Sequence, residues 1–186
     1  MLARARIVSA TTLKRPIKKM CEFIVPDEEQ MAKLAAALAT GIHSQCVIYL
    51  QGDLGAGKTC FARGLIRSKG YRGAVKSPTY TVVEQYTLAQ QTIIHFDLYR
   101  LADAEELEYL GIRDYSHAEA ILLIEWPELG KGFLPQADLT VKIDYKESAR
   151  NVQIDSASAR GTEILENNGV FCALKPFLVQ NNSIDP

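Results

Sequence analysis

The chain has 186 residues, of which 47% are hydrophobic and 23% are charged, and this composition is typical of one folded domain. No apolar run reaches the roughly 18 to 20 residues that a membrane-spanning helix needs, and the first residues lack the apolar segment of a secretory signal. The formal net charge is −1, but residues 1–20 hold six of the 21 basic side chains and none of the 22 acidic ones. The rest of the chain is acidic, which argues against a protein that grips nucleic acid through its own surface.

Residues 1–20 are interpreted as a basic, disordered extension ahead of a true start near Met20, rather than as a nucleic-acid arm or an organelle transit sequence. A single domain is predicted over residues 21–167, followed by a C-terminal tail, residues 168–186, to which no structure is assigned. The four cysteines have no metal-binding spacing. We therefore expect reduced thiols in a cytoplasmic protein that has no membrane partner.

The first predicted elements are an edge strand at Glu22–Val25 and a helix that begins after Asp27 and stops at Gly41. Asp27 is placed to cap this helix, with Gln30 in the reciprocal capping position. A continuous apolar run with β-branched residues follows at Cys46–Leu50, as expected of a strand that is buried on both faces. The chain therefore opens with strand, helix and strand, as an α/β protein does.

The most informative motif is Gly52–Thr59, which reads Gly-Asp-Leu-Gly-Ala-Gly-Lys-Thr and fits the pattern G-x-x-x-x-G-K-[ST]. A buried strand feeds it, and apolar residues at helical spacing follow it, which is the context that the pattern requires. Successive backbone N–H groups of such a loop converge on the phosphates of a nucleotide at the positive end of the next helix. Lys58 is predicted to contact the β- and γ-phosphates, and the Thr59 hydroxyl to take one coordination site of Mg²⁺.

Strands and helices alternate in the remainder of the chain. The predicted elements are a hairpin of Val82–Tyr86 with Thr92–Asp97, a helical segment at Ala104–Leu110, a buried strand at Ile121–Ile124, and an antiparallel pair of half-exposed strands, Leu139–Ile143 and Asn151–Ile154, at the edge of the sheet. This order predicts an α/β fold of the P-loop NTPase-like type, with a mostly parallel central sheet flanked by helices and antiparallel edge strands.

Two carboxylates each end an apolar strand, Asp97 and Glu125. Parallel sheets hold ligands at the carboxyl ends of their strands, so both acids are candidates to hold metal waters or to orient the attacking water. The division of these roles between the two acids stays open. As alternatives, Asp97 only caps a turn or pairs with Arg100.

Three further features lie near these motifs. The hydroxyls of Ser77–Thr81 follow a rigid proline and could sense the γ-phosphate, although a simple turn is the alternative. Trp126, the only tryptophan, either packs over the site, faces a partner or belongs to the core. His95 is interpreted as a satisfied or exposed strand histidine rather than as a proton carrier.

Four motifs taken together, Gly52–Thr59, Val75–Thr81, His95–Arg100 and Leu123–Trp126, resemble the TsaE family in order and spacing. The resemblance covers about residues 22–155. Members of this family are small bacterial ATPases that are needed to make threonylcarbamoyladenosine in tRNA beside the anticodon, and they act with TsaD and TsaB. The resemblance therefore implies ATP and Mg²⁺ as ligands, TsaD and TsaB as partners, and only indirect contact with tRNA.

Carried over residue by residue, the resemblance implies catalytic roles for Lys58, Asp97 and Glu125, a switch role for Thr79, and a metal site of Thr59, Glu125 and Asp97. The implied nucleotide contacts are Glu28, Gly52, Asp53, Leu54, Gly55, Ala56, Gly57, Lys58, Thr59, Cys60 and Arg150. The resulting hypothesis is an ATPase that is slow alone and that resets a TsaD–TsaB complex between modification cycles.

Two other function classes fit a phosphate loop in a chain of this size. A small-molecule kinase usually has a basic lid over the phosphates, but no arginine-rich segment occurs between residues 100 and 130. In a non-catalytic binding module, ATP would only order the Ser77–Thr81 segment for a partner. GTP specificity is not expected, because the chain has no N-K-x-D element to read guanine.

Overall fold

A computed structural model describes residues 19–117 and 120–177 and shows one seven-stranded sheet with helices on both faces. The strands are β1 (Met20–Val25), β2 (Cys46–Gln51), β3 (Val83–Thr87), β4 (Thr92–Asp97), β5 (Ala120–Glu125), β6 (Leu139–Lys146) and β7 (Ala149–Ser156). The α-helices are α1 (Glu28–Ala39), α2 (Lys58–Ser68), α3 (Glu106–Tyr109), α4 (Ile112–His117), α5 (Ala159–Glu166) and α6 (Asn168–Leu174). Short 3-10 turns occupy Leu98–Arg100, Pro127–Gly130 and Lys175–Phe177.

The strand order across the sheet is β1-β7-β6-β2-β5-β4-β3. The four central strands β6, β2, β5 and β4 run parallel to one another, while β3 pairs antiparallel with β4, β7 with β6, and β1 with β7. This arrangement confirms the predicted parallel centre with antiparallel strands outside it. The carboxyl ends of β2, β4 and β5 meet at one edge of the sheet, where such folds hold ligands.

The predicted antiparallel pair does form between β6 and β7, but it does not lie at the sheet's edge. β1 pairs with β7 along its whole length and is the edge strand itself, as predicted for Glu22–Val25. The physical reason is that Phe23 and Val25 alternate into the core and are fully buried there. β6 is instead the direct parallel neighbour of β2, the strand that leads into the phosphate loop.

Two apolar layers cover the sheet. The larger layer holds buried residues of α1, α2 and α6, and the smaller one holds Leu107 of α3 and Ile112 of α4. α1 begins where predicted, because the Asp27 carboxylate accepts a hydrogen bond from the Gln30 backbone N–H at 2.8 Å. α1 and α2 approach so closely that a Cβ atom on Gly64 would lie 2.7 Å from Ala32 Cα. The phosphate-loop helix is thus fixed against the N-terminal helix.

Structure continues beyond the boundary that the sequence predicted at residue 167. Val170 and Leu174, four residues apart on one face of α6, are buried in the larger apolar layer. Asn167 caps this helix by accepting a hydrogen bond from the Gly169 backbone N–H. Asparagine, glycine and proline interrupt the sequence here, so the apolar residues show no clear helical period. The remaining division into extension, domain and tail stays a prediction, and residues 1–18 lie outside the described residues.

Among the residues that the structure describes, no helix is long and apolar enough to cross a lipid bilayer. All four cysteines lie within the described residues and are free thiols.

Candidate functional site

The loop between β2 and α2 has the backbone that a phosphate cradle requires. Gly52, Gly55 and Gly57 have φ angles of 138°, 77° and 117°, which L side chains rarely adopt. A Cβ atom on Gly52 would also lie 2.2 Å from the carbonyl oxygen of Ile143 on β6. The loop therefore depends on glycine for its conformation and, at Gly52, for its close approach to the neighbouring strand.

Lys58, the first residue of α2, folds back over its own loop. Its Nζ atom donates hydrogen bonds to the carbonyl oxygens of Gly52 at 2.7 Å and Asp53 at 2.9 Å. The same ammonium lies 3.8 Å from the ring centroid of Trp126, a cation–π contact. Burial lowers the pKa of Lys58, although the carboxylates of Glu125 and Asp97 act in the opposite direction. The lysine is thus a cation in a site that it shares with two acids.

The two strand-end acids lie at the same edge of the sheet, as the sequence predicted, although only β5, and not β4, is a direct neighbour of the loop strand β2. Asp97 and Glu125 are register partners at the ends of the parallel strands β4 and β5, and both are almost fully buried. The Thr59 hydroxyl donates to Glu125, at 2.9 Å from Oε1 and 3.2 Å from Oε2. The structure therefore joins the start of the phosphate-loop helix to the end of β5 through one carboxylate.

Asp97 both caps a turn and faces the site. It accepts a hydrogen bond from the Tyr99 backbone N–H at 3.1 Å and another from the Thr79 hydroxyl at 2.7 Å. Arg100, its predicted alternative partner, instead stacks on the exposed ring of Tyr80 at 4.3 Å from the centroid. The capping role and the site role thus coexist in the same carboxylate.

The Ser77–Thr81 segment reaches the site through hydroxyl groups. Ser77 Oγ lies 2.8 Å from Thr79 Oγ1, which in turn bonds Asp97. The segment ends at Val82, whose φ of 64° is strained for a β-branched residue. Val82 is held there because its N–H donates to the Pro78 carbonyl and its own carbonyl accepts from the Asp97 N–H. The Ser77–Thr81 segment is therefore more than a simple turn, since the Thr79 hydroxyl bonds the Asp97 carboxylate.

Trp126 lies over the site. Its backbone has a φ of 57°, and its ring contacts Tyr99 with the centroids 5.1 Å apart as well as the Lys58 ammonium. The ring lines an open cavity of about 260 Å³ together with Lys58, Thr59, Thr79, Asp97 and Glu125. Of the positions that the sequence left open for Trp126, the structure supports the one over the phosphate loop.

His95 is the residue whose placement at the site the sequence interpretation missed. It is fully buried, and its Nε2 atom lies 2.8 Å from Glu125 Oε1. The alternation of β4 puts His95 on the same face as Asp97, and that signal was present in the sequence. The contact with Glu125 depends on the pairing of β4 with β5, which the sequence pattern alone does not specify.

Another flank of the loop is formed by residues from the first helix, from β6 and from β7. Arg150 Nε donates to the Ala56 carbonyl at 3.1 Å, and the Tyr145 hydroxyl donates to the Leu54 carbonyl at 3.0 Å. Cys60 Sγ lies 3.5 Å from the Glu28 carbonyl oxygen. These residues border a second cavity of about 180 Å³, lined by Pro26, Asp27, Glu28, Met31, Gly55, Ala56, Gly57, Cys60, Ser148 and Arg150. The residues predicted for nucleotide contact therefore surround one continuous loop.

Comparison with known proteins decides the family. A family model described as "Threonylcarbamoyl adenosine biosynthesis protein TsaE" matches residues 25–152. The chain belongs to the TsaE family. Every residue predicted for the site, from Glu28 to Arg150, lies inside the matched segment.

Individual TsaE relatives agree with this match. The chain is 49% identical to a Haemophilus influenzae protein named tRNA threonylcarbamoyladenosine biosynthesis protein TsaE. The alignment spans 146 residues and covers 76% of this chain and 92% of the relative. A Bacillus subtilis protein of the same name is 40% identical over 119 residues, 63% of this chain and 72% of the relative. The solved structure of Bacillus subtilis YdiB matches with a TM-score of 0.69 and 26% identity, covering 81% of this chain and 94% of that one. The fold is thus P-loop NTPase-like.

The oxygen atoms at the TsaE-family site fit Mg²⁺. This cation prefers oxygen ligands and is usually held by one or two carboxylates together with phosphates and waters. Thr59 and Glu125 are already in contact, and Asp97 lies beside Glu125 in the sheet. Within residues 19–117 and 120–177, no group of three or more His, Cys, Asp or Glu side chains is placed to hold a metal ion.

Proposed function

We propose that this TsaE-family chain binds ATP with Mg²⁺, hydrolyses it, and thereby serves the formation of threonylcarbamoyladenosine in tRNA next to the anticodon. The observation that supports hydrolysis is the contact of the Thr59 hydroxyl with Glu125, with Asp97 in the next strand and Lys58 lining the same cavity. The pathway is the one named for the family model and for the relatives.

Nucleotide binding begins with an exchange of partners at Lys58. Its Nζ atom leaves the carbonyls of Gly52 and Asp53 and contacts the β- and γ-phosphates, which offer charged acceptors in place of neutral ones. The N–H groups of the glycine-rich loop and the first turn of α2 surround the same phosphates. Glu28 and Arg150 hold the flank of the loop where the nucleoside part of ATP enters.

The acids then act on the metal and on the attacking water. When bound, Mg²⁺ would neutralise charge on the phosphate oxygens, and Thr59 with Glu125 would hold it. Asp97 orients the water. The bond from the Thr79 hydroxyl to Asp97 couples the position of the Ser77–Thr81 segment to the presence of the γ-phosphate. The reverse division of roles between Asp97 and Glu125 uses the same geometry.

The partners proposed for this reaction are TsaD and TsaB, and hydrolysis would reset their complex between modification cycles. Leu54, which lines the cavity, and Tyr80, which follows Thr79 in the chain, are both exposed, so a partner can reach the phosphate loop and the switch segment. Because the chain beyond residue 20 is acidic, tRNA contact is proposed to be indirect. The proposed location is the cytoplasm.

The test measures ATP hydrolysis by the purified chain alone and with TsaB and TsaD added, with Lys58→Ala as the blank. The proposal expects slow hydrolysis that the pair stimulates strongly and that Glu125→Gln removes while ATP still binds. Tight ATP binding without stimulation would reject the partner-gated ATPase. A phosphorylated metabolite in the reaction would indicate a kinase, and unchanged tRNA modification with Glu125→Gln would indicate a passive binding module.

A further inference from the structure

His95 occupies a buried position where a polar side chain without hydrogen bonds would reduce the stability of the fold. It lies in the middle of β4, is fully buried, and shares its face of the sheet with Ile93 of the larger apolar layer. Its register partner on β5 is the buried Leu123. A ring with two nitrogen atoms is unfavourable in such surroundings unless both atoms have hydrogen-bond partners.

Only one nitrogen of His95 has a partner among the described residues. Nε2 lies 2.8 Å from Glu125 Oε1, whereas Nδ1 is buried and makes no hydrogen bond. An ionised carboxylate can only accept, so Nε2 carries the hydrogen of this bond. An apolar side chain would fit the surroundings of Nδ1 better, so the bond from Nε2 is what distinguishes histidine at this position.

The bond from His95 makes the two oxygens of Glu125 unequal. Oε1 lies 2.8 Å from His95 Nε2 and 2.9 Å from Thr59 Oγ1, while Oε2 has only the longer Thr59 contact of 3.2 Å. A glutamate side chain has several rotatable bonds, and two donors on one oxygen restrict its orientation. Oε2 therefore has fewer hydrogen-bond donors than Oε1 among the described residues, and Glu125 lines the cavity.

We infer that His95 is a positioning residue, which holds Glu125 so that Oε2 faces the magnesium ion and its waters. The inference rests on the proposed function, because it concerns the same carboxylate. Partners of this kind behind metal ligands commonly change metal affinity or activity by about 10 to 100-fold when they are removed. His95 itself is not among the residues that line the cavity.

Three variants separate positioning from packing. His95→Leu removes the donor and keeps an apolar side chain, whereas His95→Gln places an amide N–H donor near the position of Nε2. Ile93→Val, two residues earlier on the same face of β4, perturbs the buried layer without touching Glu125. Thermal unfolding of each variant first establishes that it is folded.

The first measurement is the affinity for a fluorescent ATP analogue with Mg²⁺ and again with EDTA. We expect His95→Leu to reduce the gain in affinity that Mg²⁺ provides by about 10 to 100-fold, and to leave the affinity in EDTA unchanged. His95→Gln should recover most of this gain, and Ile93→Val should match the wild type. In the hydrolysis assay, kcat should fall in the same order, and because hydrolysis by the chain alone is proposed to be slow, KM should rise together with the loss of Mg²⁺-dependent affinity.

A folded His95→Leu variant with the wild-type magnesium gain would overturn the inference, and so would equal losses in His95→Leu, His95→Gln and Ile93→Val. If the wild type binds the analogue but never hydrolyses ATP, the proposed function fails. The increase in affinity that Mg²⁺ provides still tests the inference that His95 positions Glu125.

Should His95→Leu not fold, long-range ¹H–¹⁵N spectra of the wild type give a second test, with His95→Gln identifying the His95 signals among the three histidines. A hydrogen on Nε2 supports the inference, and its absence there overturns it.

Discussion

At the scale of single residues, Lys58 shows how the site prepares for an anion. Its side chain is only 4% exposed, and its ammonium is satisfied by two loop carbonyls and the face of Trp126. Burial nevertheless lowers its pKa below the ordinary value near 10.5. The free energy lost by burying this charge is recovered when phosphates arrive, which is why phosphate sites tolerate such a residue.

The lowered pKa predicts how stability depends on pH. The unfolded chain binds the Lys58 proton more tightly than the folded one, so the charged lysine costs stability at neutral pH, and this cost disappears as the pH rises through the folded pKa towards 10.5. Without nucleotide, the free energy of unfolding of the wild type should therefore rise from pH 7 to pH 10 relative to Lys58→Met. Urea unfolding of both proteins at the two pH values measures the difference. A constant or falling difference would contradict the prediction.

Thr79 gives a second prediction at this scale. Removing its hydroxyl in Thr79→Val leaves Asp97 with only the Tyr99 N–H as a donor and breaks the contact with Ser77. We expect kcat for ATP hydrolysis to fall by about tenfold or more, since a bond to a charged group contributes about 1.5–3 kcal/mol. Steady-state kinetics check this, with Thr81→Val as the control, because the Thr81 hydroxyl bonds Glu84 outside the site. Equal kcat values for the two variants would reject a special role for Thr79.

The chemical type of these residues was predictable from the sequence, but some of their contacts were not. Lys58, Thr59, Asp97 and Glu125 follow from a motif and from strand ends, because motif spacing and strand direction fix where they emerge. The bond between His95 and Glu125 depends on which strand lies beside β4, and a period of two identifies a face without identifying the neighbour.

At the scale of elements, the position of the phosphate-loop helix depends on its contact with α1. Gly64 in α2 lies against the backbone of Ala32, where a Cβ atom would be 2.7 Å from Cα and 2.9 Å from the carbonyl oxygen. Backbone atoms cannot move aside as the end of a flexible side chain can. The short distance between these helices therefore requires glycine at this position.

Gly64→Ala should consequently destabilise the protein, although alanine favours helix by about 1 kcal/mol. Overpacking in a well-packed interface costs about 1–3 kcal/mol, and here it outweighs the gain. Arg67→Ala, at an exposed position of the same helix, should change stability by about 0.5 kcal/mol or less. Urea unfolding of the two variants checks this. An increase in stability for Gly64→Ala would show that α1 and α2 can separate freely.

α6 allows a test of the element that the sequence pattern did not predict. Leu174 is 2% exposed in the larger apolar layer, whereas Phe171, one turn earlier in the same helix, is 45% exposed. We expect Leu174→Ala to lower the free energy of unfolding by about 2–5 kcal/mol, because it leaves a cavity. Phe171→Ala serves as the matched control and should change it by about 0.5 kcal/mol. Similar small effects at both positions would place residues 168–174 outside the cooperative fold.

The strands were predictable as elements, because apolar runs and alternation mark them clearly. Their order was not, since β7 is covered by β1 from the other end of the chain. α6 was not predictable from the sequence pattern, because Asn167, Asn168 and Gly169 precede only one and a half helical turns of apolar residues. Helices this short obtain their stability from tertiary packing, which cannot be predicted from the local sequence.

At the scale of the whole molecule, Cys46 reports on cooperative unfolding. It lies at the start of β2 with no exposed surface, and burial, together with the nearby Asp138 carboxylate, raises the pKa of its thiol to about 12. Cys172 on α6 is exposed. A thiol reagent at pH 8 should therefore modify Cys172 quickly and Cys46 only when the chain unfolds.

Ligand binding should slow that reaction. If the site binds Mg²⁺ and ATP, a concentration one hundred times the Kd stabilises the folded state by about 2.7 kcal/mol, which makes Cys46 about 100-fold slower to react when opening and closing are fast compared with modification. Mass spectrometry of quenched samples follows each cysteine separately. Lys58→Ala is the control and should show little protection by ATP. Equal protection in both proteins would mean that ATP binds elsewhere.

The bond between Thr59 and Glu125 joins residues that are 66 positions apart in the chain. During synthesis, the phosphate loop leaves the ribosome well before β4 and β5 do, so the nascent chain displays its lysine and threonine without either acid. Long-range pairing of β2 with β5 then has to precede any magnesium-dependent binding, and such pairing forms slowly compared with local contacts. If the site binds ATP as proposed, the nucleotide therefore cannot guide the early steps of folding in this way, and a chain released before residue 125 would lack the complete site.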